Sequence, residues 1–465
     1  MVEYMRTISR YTVDQIGETV TLMGWVHSRR DHGKLIFIDL RDRWGIVQIV
    51  FSPANEELLA RANTLRPEWV IAVEGKVKKR PLGMENSEIS TGSIEVEATG
   101  LEILNESETP PFPLDTDGYD IDEEMRLKYR YLDLRRKRLQ KNLKLRHDLI
   151  LVFRNYLNGK GFIEVETPIL TKGTPEGARE YVVPSRLYPG KFYVLPQSPQ
   201  QFKQLLMIAG IDKYFQIARA FRDEDQRGDR QPEFTQLDIE MSFVTQEDIL
   251  KLGEELITEV VEKVTPQKKI SKSPWPRLTY KEAMEKYGTD KPDLRENKDS
   301  PDELAFGWIT DFPLFEKAED GRIEAMHHPF TSPRPDDIEI LDKNPLAVRS
   351  QAYDIVLNGN EISSGSIRIH KRELQNKIFK ILGLSDEKIQ TRFGHMLEAF
   401  EFGAPPHGGF APGIDRLVMI LAGESGISEV IAFPKTGNAR DLMMGAPSEI
   451  DEKQLKELHL KIKEK

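Results

Sequence analysis

Residues 221–240 read FRDEDQRGDRQPEFTQLDIE, which sets three arginines among seven acidic residues and ends in an alternating pattern typical of a β-strand. This combination predicts a charged hairpin that runs into a strand. A guanidinium group offers a planar fork of donors that matches two phosphate oxygens, so Arg222, Arg227 and Arg230 suit a nucleotide site. Phe234, just past the turn, is placed to stack on a purine. For a run of charge taken alone, a solvated loop is the alternative interpretation.

The composition indicates a globular protein of more than one domain. A chain of 465 residues, with 39% hydrophobic and 31% charged residues, exceeds the usual size of one domain. It contains no run of about 20 apolar residues and no apolar amino-terminal signal, so we expect a cytoplasmic location. Because the chain has no cysteine, disulfides and thiolate zinc sites are excluded, and we expect neither zinc nor an organic cofactor. The net charge of -10 confines any contact with a polyanion to local basic patches.

Residues 1–105 are predicted to form a small β-domain with a helix, 55–62, after its third strand. This is the order of an OB-fold barrel, which often binds single-stranded nucleic acid. Phe37 lies on the strand face opposite Ile36 and close in sequence to Arg30. An exposed aromatic ring beside arginine is a stacking platform for an unpaired base, and packing under a loop is the alternative for Phe37. The five alternating runs, separated by turn signals, are 20–26, 35–40, 46–51, 70–77 and 94–104.

Residues 106–130 are predicted to be a linker, because prolines and turn-forming residues favour an extended connection. Residues 131–465 are predicted to form a larger α+β domain around an antiparallel sheet flanked by helices. Apolar residues at helical spacing predict a long helix over 139–160, followed by a short strand at 162–166. Further strands are predicted at 191–195, 214–217, 237–243, 352–357 and 366–369.

Three separated segments occur in order along this larger domain. The first is the long helix with the strand GFIEVETPIL, the second is residues 221–240, and the third is GGFAPGIDRL at 408–417. In order and spacing they resemble the three signature motifs of class II aminoacyl-tRNA synthetases. The OB-like domain before them is similar to that of the aspartate, asparagine and lysine branch. Three short blocks, TPEGA at 174–178, QSPQ at 197–200 and HHPF at 327–330, resemble those of bacterial aspartyl-tRNA synthetases.

The resemblance implies ATP-dependent activation of L-aspartate to aspartyl-adenylate and pyrophosphate, followed by transfer to the 3′ end of tRNA. Both steps develop negative charge, so positioning and cationic stabilisation are expected to dominate. By family analogy Arg222, Arg416 and Glu361 are catalytic. Asp354 and Glu361 offer hard oxygen ligands to Mg²⁺, whereas without the family context they would be ordinary surface carboxylates. The residues expected to bind ATP are Arg222, Glu224, Gln231, Phe234, Glu361, Gly413, Ile414, Asp415 and Arg416.

The resemblance also implies which residues bind aspartate. Glu176 is expected to pair with the α-ammonium group, with Ser198 and Gln200 nearby. Lys203 and Arg368 are expected to bind the side-chain carboxylate and to reject asparagine, because a neutral amide would leave buried charge unpaired. The remaining expected members are Arg222, Asp238, which would hold Lys203, and His327, which would close over the substrate. A structural hydrogen bond in a loop is the alternative role for His327.

In the OB-like domain the resemblance implies that Phe37, Arg30 and Gln48 bind the anticodon. The Asp and Asn anticodons differ only in their third base. His32 can donate or accept a hydrogen bond at that base, and Gly83 removes a side-chain contact, so we expect both tRNA(Asp) and tRNA(Asn) to be substrates. A harmless turn substitution, and hence an enzyme that charges tRNA(Asp) alone, is the alternative. A catalytically silent RNA-binding paralogue is a further alternative, and it should lack the phosphate-binding arginines or the metal-binding carboxylates.

Two features depart from the usual bacterial pattern. KPDLR, 291–295, and WITDFP, 308–313, are separated by only twelve residues, whereas bacterial members usually carry a large inserted domain there. Residues 363–366 read SSGS in place of a more glycine-rich run, and Pro412 stands where an aromatic is common. The first motif implies a homodimer. The expected partners are therefore tRNA, ATP, L-aspartate and a second copy of the chain, with neither DNA nor a membrane.

Overall fold

The computed structural model describes residues 6–173, 177–224 and 228–463. The chain divides into two compact units, Met1–Asp115 and Thr116–Lys465. The division falls inside the predicted linker of residues 106–130. In the described ranges, no helix is both long and apolar enough to cross a lipid bilayer.

The first unit is a closed β-barrel. Its elements are β1 (Arg6–Thr7), β2 (Thr19–His32), β3 (Leu35–Asp42), β4 (Gly45–Phe51), α1 (Glu56–Thr64), β5 (Val70–Lys79) and β6 (Ile94–Asn105). The strands pair in the order β1-β2-β3-β4-β6-β5, and an additional pairing of β2 with β5 closes the barrel. The five predicted strands and the helix after the third are all present, so the predicted OB-fold is confirmed.

Alternation along the strands decides which side chains enter the barrel core. Leu22, Ile36, Ile38 and Val73 point inward and are almost fully buried, because successive side chains of a strand face opposite sides. Phe37 lies between the two buried isoleucines and is only half-buried. The Phe37 ring therefore points out of the barrel, as expected.

The second unit is an α+β domain. Its helices are α2 (Glu123–Lys128), α3 (Arg130–Asp133), α4 (Lys137–Gly159), α5 (Gln200–Ile208), α6 (Gln246–Val264), α7 (Tyr280–Tyr287), α8 (Arg372–Ile381), α9 (Asp386–Ala399), α10 (Ile414–Ala422) and α11 (Glu452–Glu457). Its strands are β7 (Ile163–Glu164), β8 (Val182–Pro184), β9 (Phe192–Val194), β10 (Lys213–Phe221), β11 (Glu233–Ser242), β12 (Lys269–Ile270), β13 (Arg277–Thr279), β14 (Glu303–Leu304), β15 (Phe306–Thr310), β16 (Phe315–Lys317), β17 (Ile323–Ala325), β18 (Ala352–Leu357), β19 (Asn360–Ile367) and β20 (His407–Pro412).

The main sheet of this unit has the strand order β13-β15-β18-β19-β20-β11-β10-β7 within the described residues. Its six inner strands pair antiparallel, as predicted, whereas β13 and β7 at the two edges pair parallel. The strand predicted at 366–369 in fact begins at Asn360, because residues 360–367 pair with both β18 and β20. The inner strands carry the hairpin of residues 221–240 and the glycine-rich third motif next to each other.

One apolar cluster holds the long helices to this sheet. In α4, Leu145, Leu149, Phe153 and Leu157 recur every fourth residue and form one buried stripe. The stripe joins apolar side chains of α6, α10 and β11 in the same cluster. Burial of a side chain of this size contributes about 1.5–3 kcal/mol, so the stripe fixes the helix on the sheet.

The segment predicted as an extended linker is partly helical, which corrects that prediction. α2 begins after Asp122, whose side chain accepts a hydrogen bond from the main-chain N of Met125 at 3.0 Å. Arg126 of α2 is buried and pairs with Glu429 at 2.8 Å. The prolines that favour an extended chain all lie before residue 114, so they do not oppose a helix nine residues later.

The twelve-residue connection between KPDLR and WITDFP, residues 296–307, is closed by hydrogen bonds within its own segment. The carboxylate of Glu303 accepts hydrogen bonds from the main-chain N of Glu296 at 2.9 Å and of Asn297 at 3.0 Å. β14, which contains Glu303, pairs with β12. Local hydrogen bonds thus satisfy the loop backbone in a place where no domain is inserted.

Candidate active site

A cavity of about 450 Å³ opens on the sheet between β11, β19, α5 and the start of α10. Most of the residues predicted for the site line it: Ser198, Gln200, Lys203, Arg222, Glu224, Gln231, Phe234, Asp238, His327, Glu361, Arg368, Gly413, Asp415 and Arg416. Asp354 and Ile414 are not in its wall; Ile414 is fully buried in the apolar cluster. Glu176 and Arg227 lie outside the described residues.

Arg222 and Phe234 face each other across the base of the hairpin. The guanidinium carbon of Arg222 lies 5.1 Å from the centroid of the Phe234 ring. The last pair of β10 with β11 is Phe221 with Glu233, which are the neighbours of these two residues in sequence. Arg222 makes no ion pair with any described residue, and its buried Nε has no hydrogen-bond partner there.. The donors of its guanidinium are therefore available for an anionic ligand.

Lys203 and Arg368 form a buried ionic group with Asp238 and Glu240. Lys203 Nζ lies 2.8 Å from Asp238 Oδ1 and 3.2 Å from Glu240 Oε2. Arg368 donates from Nε to Glu240 Oε1 at 3.0 Å, and all four side chains are at most 2% exposed. Burial raises the pKa of Asp238 despite the ammonium of Lys203. Burial also acts to raise the pKa of Glu240, but Arg368 and Lys203 outweigh it and hold that pKa below its usual value.

Every N–H of Arg368 is engaged in this structure. Besides the Nε bond, Nη2 donates to Glu240 Oε2 at 3.2 Å and to the main-chain oxygen of Gly409 at 3.3 Å. Nη1 donates to His328 Nε2 and to Ser366 Oγ, each at 2.7 Å. Burial, followed by the charge of Arg368, lowers the pKa of His328 well below its usual value, so His328 is a neutral acceptor. A carboxylate that binds Arg368 must displace one of these partners.

Glu240 and His328 are the site residues that the sequence did not reveal. Glu240 had a signal, because Gln236, Asp238 and Glu240 alternate along β11 and therefore share one face. A second signal was the charge balance, because the two predicted cations, Lys203 and Arg368, had only one predicted protein carboxylate, Asp238, to pair with. Gly409 lies opposite Glu240 on the neighbouring strand, and there is no room for a side chain at this position. A Cβ on Gly409 would lie 1.9 Å from the main-chain oxygen of Ile239 and 2.4 Å from Glu240 Oε2. Only glycine fits there.

The two predicted metal ligands lie on neighbouring strands. A β-bulge follows the pair Ile355↔Ser363, so that Val356 pairs with Glu361, and this turns Glu361 to the sheet face that carries Asp354. The carboxylate of Asp354, followed by burial, raises the pKa of Glu361. Two hard oxygen ligands that repel each other suit a divalent cation. No cluster of three such ligands occurs in the described ranges, so further ligands would come from phosphate or water.

His327 lies beside these carboxylates. Its Nε2 is 3.4 Å from Asp354 Oδ1, and its ring packs edge-on against Phe312 with 4.5 Å between centroids. Burial acts to lower the pKa of His327, but the charge of Asp354 outweighs it and the pKa is raised. The imidazole is therefore held at the wall of the cavity by packing and by charge.

Other predicted ATP-site residues are tied to the protein by their polar groups. Arg416 Nη2 lies 3.0 Å from Asp229 Oδ2, and its Nη1 donates to the main-chain oxygen of Glu361. The Asp415 carboxylate pairs with Arg146 and accepts from the main-chain N of Thr235 at 2.8 Å. Asp415 thus fastens α10 to α4 and β11, whereas Arg416 keeps its guanidinium at the cavity.

Gln231 bridges two distant segments of the chain. Its side-chain amide bonds the main chain of Lys435, with Oε1 accepting from N at 2.7 Å and Nε2 donating to O at 3.0 Å. The main-chain N of Gly413 donates to the oxygen of Ile362 at 2.8 Å. These hydrogen bonds hold Gln231 and Gly413 in the wall of the cavity.

In the barrel unit, four of the five predicted anticodon residues lie on β2, β3 and β4. Arg30 pairs with Phe37 across β2 and β3, and Arg30 Nη2 donates to Asp39 Oδ1 at 2.8 Å and to Gln48 Oε1 at 3.3 Å. The His32 ring packs edge-on against Phe37 with 5.5 Å between centroids. Gly83 lies apart from them in the loop between β5 and β6, where its φ of +80° favours glycine.

The antiparallel sheet, the charged hairpin with Arg222 and the second arginine, Arg416, at the start of a helix agree with the expected class II aminoacyl-tRNA synthetase. The chain belongs to the family described as tRNA synthetases class II (D, K and N), whose model matches residues 122–437. A second model, described as OB-fold nucleic acid binding domain, matches residues 20–104. The predicted family and enzyme class are thereby confirmed.

Curated relatives match over nearly the whole chain. Aspartate–tRNA(Asp/Asn) ligase of Rubrobacter xylanophilus is 48% identical, with 98% of this chain and 96% of that protein covered. Aspartate–tRNA(Asp/Asn) ligase of Thermoanaerobacter sp. is 46% identical, with 97% of each covered. The first alignment runs over 580 positions whereas this chain has 465 residues, so part of the relative has no counterpart here. This agrees with a missing inserted domain.

Solved structures of the same class share the fold. Asparaginyl-tRNA synthetase from Pyrococcus horikoshii complexed with asparaginyl-adenylate aligns with a TM-score of 0.76 at 25% identity, covering 94% of this chain and 99% of that one. A putative aspartyl-tRNA synthetase from Leishmania major Friedlin gives a TM-score of 0.76 at 22% identity, covering 93% and 94%. The second likeness concerns the fold alone.

Proposed function

We propose that the chain is an aspartate–tRNA ligase that charges both tRNA(Asp) and tRNA(Asn). The observation that carries the proposal is the buried group of Lys203, Asp238, Glu240 and Arg368, whose members Lys203, Asp238 and Arg368 line one cavity with Arg222. In the first step the α-carboxylate of aspartate attacks the α-phosphate of ATP and releases pyrophosphate. In the second, a ribose hydroxyl of the tRNA end attacks the acyl carbon and releases AMP.

Selectivity for aspartate follows from the donors at the bottom of the cavity. Lys203 uses its ammonium for Asp238 and Glu240, which leaves one of its three N–H groups for a substrate carboxylate. Arg368 can release its neutral acceptor His328 and bind that carboxylate instead. A hydrogen bond to a neutral group is then replaced by a stronger, charge-assisted one. The protein carboxylates already balance the two cations, so discrimination rests on hydrogen bonds in fixed geometry as well as on charge. Asparagine would present N–H groups to these donors.

Arg222 and Arg416 supply the positive charge for phosphoryl chemistry. Arg222 would bind the α-phosphate and the substrate carboxylate, and Phe234, whose ring centroid lies 5.1 Å from the Arg222 guanidinium carbon, would stack on adenine. Arg416, at the start of α10, is positioned for the γ-phosphate once it exchanges Asp229 for that anion. Preorganised cations of this kind typically contribute a factor of about 10²–10³ each. Glu224 and Gln231 complete the ATP site, and Glu176 together with Ser198 and Gln200 would receive the α-ammonium group.

Asp354 and Glu361 would hold the Mg²⁺ that accompanies ATP. When bound there, the ion would supply positive charge against the phosphates of ATP. Its arrival would also relieve the repulsion between the two carboxylates, which is the cause of the raised pKa of Glu361. His327, held by Asp354, would close the wall of the site next to the substrate.

The barrel unit would read the anticodon and the larger unit would form the dimer. Phe37, flanked by Arg30 and Gln48, is the proposed stacking platform for an anticodon base, with His32 at its edge. Support for a homodimer comes from exposed apolar side chains around the first motif: Leu151, Ile163, Ile169 and Leu170 are each at least 46% exposed. A cytoplasmic location suits an enzyme whose substrates are tRNA and ATP.

Two assays test the function. Pyrophosphate exchange into ATP should require aspartate and should not proceed with asparagine, and absence of exchange would support the silent RNA-binding paralogue instead. Aminoacylation of purified tRNA(Asp) and tRNA(Asn) should give aspartate on both. Charging of tRNA(Asp) alone would identify a discriminating enzyme.

A further inference from the structure

A cluster of arginine and aromatic side chains stands on the barrel unit outside the predicted anticodon residues. The guanidinium carbon of Arg10 lies 3.9 Å from the centroid of the Trp44 ring, and that of Arg43 lies 4.6 Å from it. Arg10 also donates from Nη2 to the hydroxyl of Tyr11 at 2.5 Å. We call Arg10, Tyr11, Arg43 and Trp44 the arginine–tryptophan cluster.

A buried carboxylate holds this cluster in shape. Asp42, 7% exposed, accepts hydrogen bonds from Ser9 N at 2.8 Å and Ser9 Oγ at 2.6 Å on one side. On the other it accepts from Trp44 N at 2.7 Å and Gly45 N at 3.1 Å. The segment that carries Arg10 and the turn that carries Trp44 are thus tied to one anchor, so the two guanidinium groups meet one indole in a fixed arrangement.

The arginines of the cluster have no anionic partner in the part of the chain that the structure describes. Within residues 6–173, 177–224 and 228–463, no carboxylate lies within ion-pair distance of Arg10 or Arg43, and both side chains are exposed. Arg6 adds a third cation, 3.9 Å from Asp42. In a chain of net charge -10, this is a local basic patch whose planar donors match phosphate oxygens.

The cluster adjoins the loop that carries Gly83, one of the proposed anticodon residues. A Cβ built on Gly45 would lie 3.8 Å from Ser90 Oγ, and Thr91 Oγ1 donates to the main-chain oxygen of Ile46 at 2.5 Å. Ser90 and Thr91 belong to the loop between β5 and β6 that also carries Gly83. The turn of Trp44 therefore adjoins that loop, whereas His32 lies at the opposite end of β3.

We propose that the arginine–tryptophan cluster binds the phosphodiester backbone of tRNA next to the anticodon, with Arg10 and Arg43 contacting phosphates and Trp44 orienting both guanidinium groups. The inference rests on the proposed function, since it assumes tRNA as substrate. Phosphate contacts position a nucleic acid and carry no sequence information, so the cluster serves tRNA(Asp) and tRNA(Asn) equally. It would supplement the stacking on Phe37 with affinity that falls with salt.

The test is the salt dependence of tRNA binding by the full-length protein. For Arg10→Ala/Arg43→Ala, affinity for either tRNA at about 100 mM salt should fall roughly 10-fold, and the slope of log Kd against log salt should fall by about 2. Trp44→Ala should lose part of this affinity and Trp44→Phe should keep it, because phenylalanine retains an aromatic face for the guanidinium groups. Arg61→Ala removes an exposed arginine of α1 in the same unit and is the matched control.

The outcomes separate the inference from the function on which it depends. If the double variant keeps the wild-type affinity and salt slope, or if Arg61→Ala loses as much affinity, the proposed role of the cluster in tRNA binding is wrong. The proposed function still holds in that case, provided that the wild-type protein charges tRNA. Wild-type protein that charges neither tRNA overturns the function itself. Aspartate-dependent pyrophosphate exchange, which needs no tRNA, should stay at the wild-type level in every variant; its loss in the double variant would contradict a role confined to RNA.

Discussion

Arg368 donates two hydrogen bonds to Glu240, from Nε to Oε1 at 3.0 Å and from Nη2 to Oε2 at 3.2 Å, with both side chains buried. Glu240 also contacts Lys203 at 3.2 Å. One carboxylate therefore positions both cations that face the proposed substrate. The first prediction concerns this carboxylate.

Glu240→Gln should impair folding stability and aspartate binding together. Removing one partner of a buried pair leaves charge uncompensated, which typically destabilises by about 3–5 kcal/mol. Thermal denaturation and the KM for aspartate in pyrophosphate exchange are the measurements. Glu233→Gln, on the same strand but in a partly exposed ion pair, is the control. Equal behaviour of the two variants would contradict the role of Glu240.

Arg368→Lys should raise the KM for aspartate far more than the KM for ATP. Lysine keeps the charge but cannot reproduce five N–H donors in a planar fork, so both the Glu240 pair and the substrate contact are lost. We expect a loss of about 100-fold in kcat/KM for aspartate. Arg349→Lys changes a comparable arginine–aspartate pair at the surface, with Asp337, and should have little effect. If both KM values rise alike, Arg368 is not specific to aspartate.

Glu361→Gln should stabilise the metal-free protein and weaken its use of Mg²⁺. A raised pKa means that folding disfavours the ionised form of Glu361, so a neutral side chain removes the repulsion from Asp354. The melting temperature without Mg²⁺ should rise, while pyrophosphate exchange should need more Mg²⁺. Glu319→Gln, an exposed loop position, is the control. An unchanged Mg²⁺ requirement would argue against the proposed ligand.

Glu429→Gln should flatten the loss of stability in acid. Burial acts to raise the pKa of Glu429, but its hydrogen bond to Arg126 outweighs burial and the pKa is lowered. A carboxyl group with a depressed pKa in the folded state contributes stability above its unfolded pKa and loses it as pH falls through the folded pKa. The wild-type melting temperature should therefore fall more steeply below about pH 4 than that of the variant. Parallel curves would contradict this contribution.

His32→Leu should reduce charging of tRNA(Asn) more than charging of tRNA(Asp). Leucine can still pack against Phe37 but has no hydrogen-bonding group, and one such bond contributes about 1 kcal/mol, or roughly 5-fold in kcat/KM. Aminoacylation of the two purified tRNAs is the measurement, with Lys34→Ala in the same turn as control. An equal change for both tRNAs would show that His32 does not set the tRNA range.

Local pattern in the sequence was sufficient for most elements of the fold. The predicted site residues came from the family resemblance, and most of them line one cavity. Alternation predicted the five barrel strands, and helical spacing predicted α4. Local pattern did not predict the helices at residues 123–133. The first of them depends on a cap and on the ion pair of Arg126 with Glu429, which lies 303 positions away. Local pattern also missed Glu240, whose partner Arg368 lies 128 positions away.

The sequence by itself determined the residue types of the site, the family to which they belong and the strands and helices that carry them, because these depend on neighbours along the chain. Only the tertiary structure decided which charges meet. The pairing of β11 with β20 and of β20 with β19 brings Glu240 to Arg368, and the bulge between β18 and β19 turns Glu361 towards Asp354. Strand register is a property of the whole sheet, so no local pattern contains these contacts.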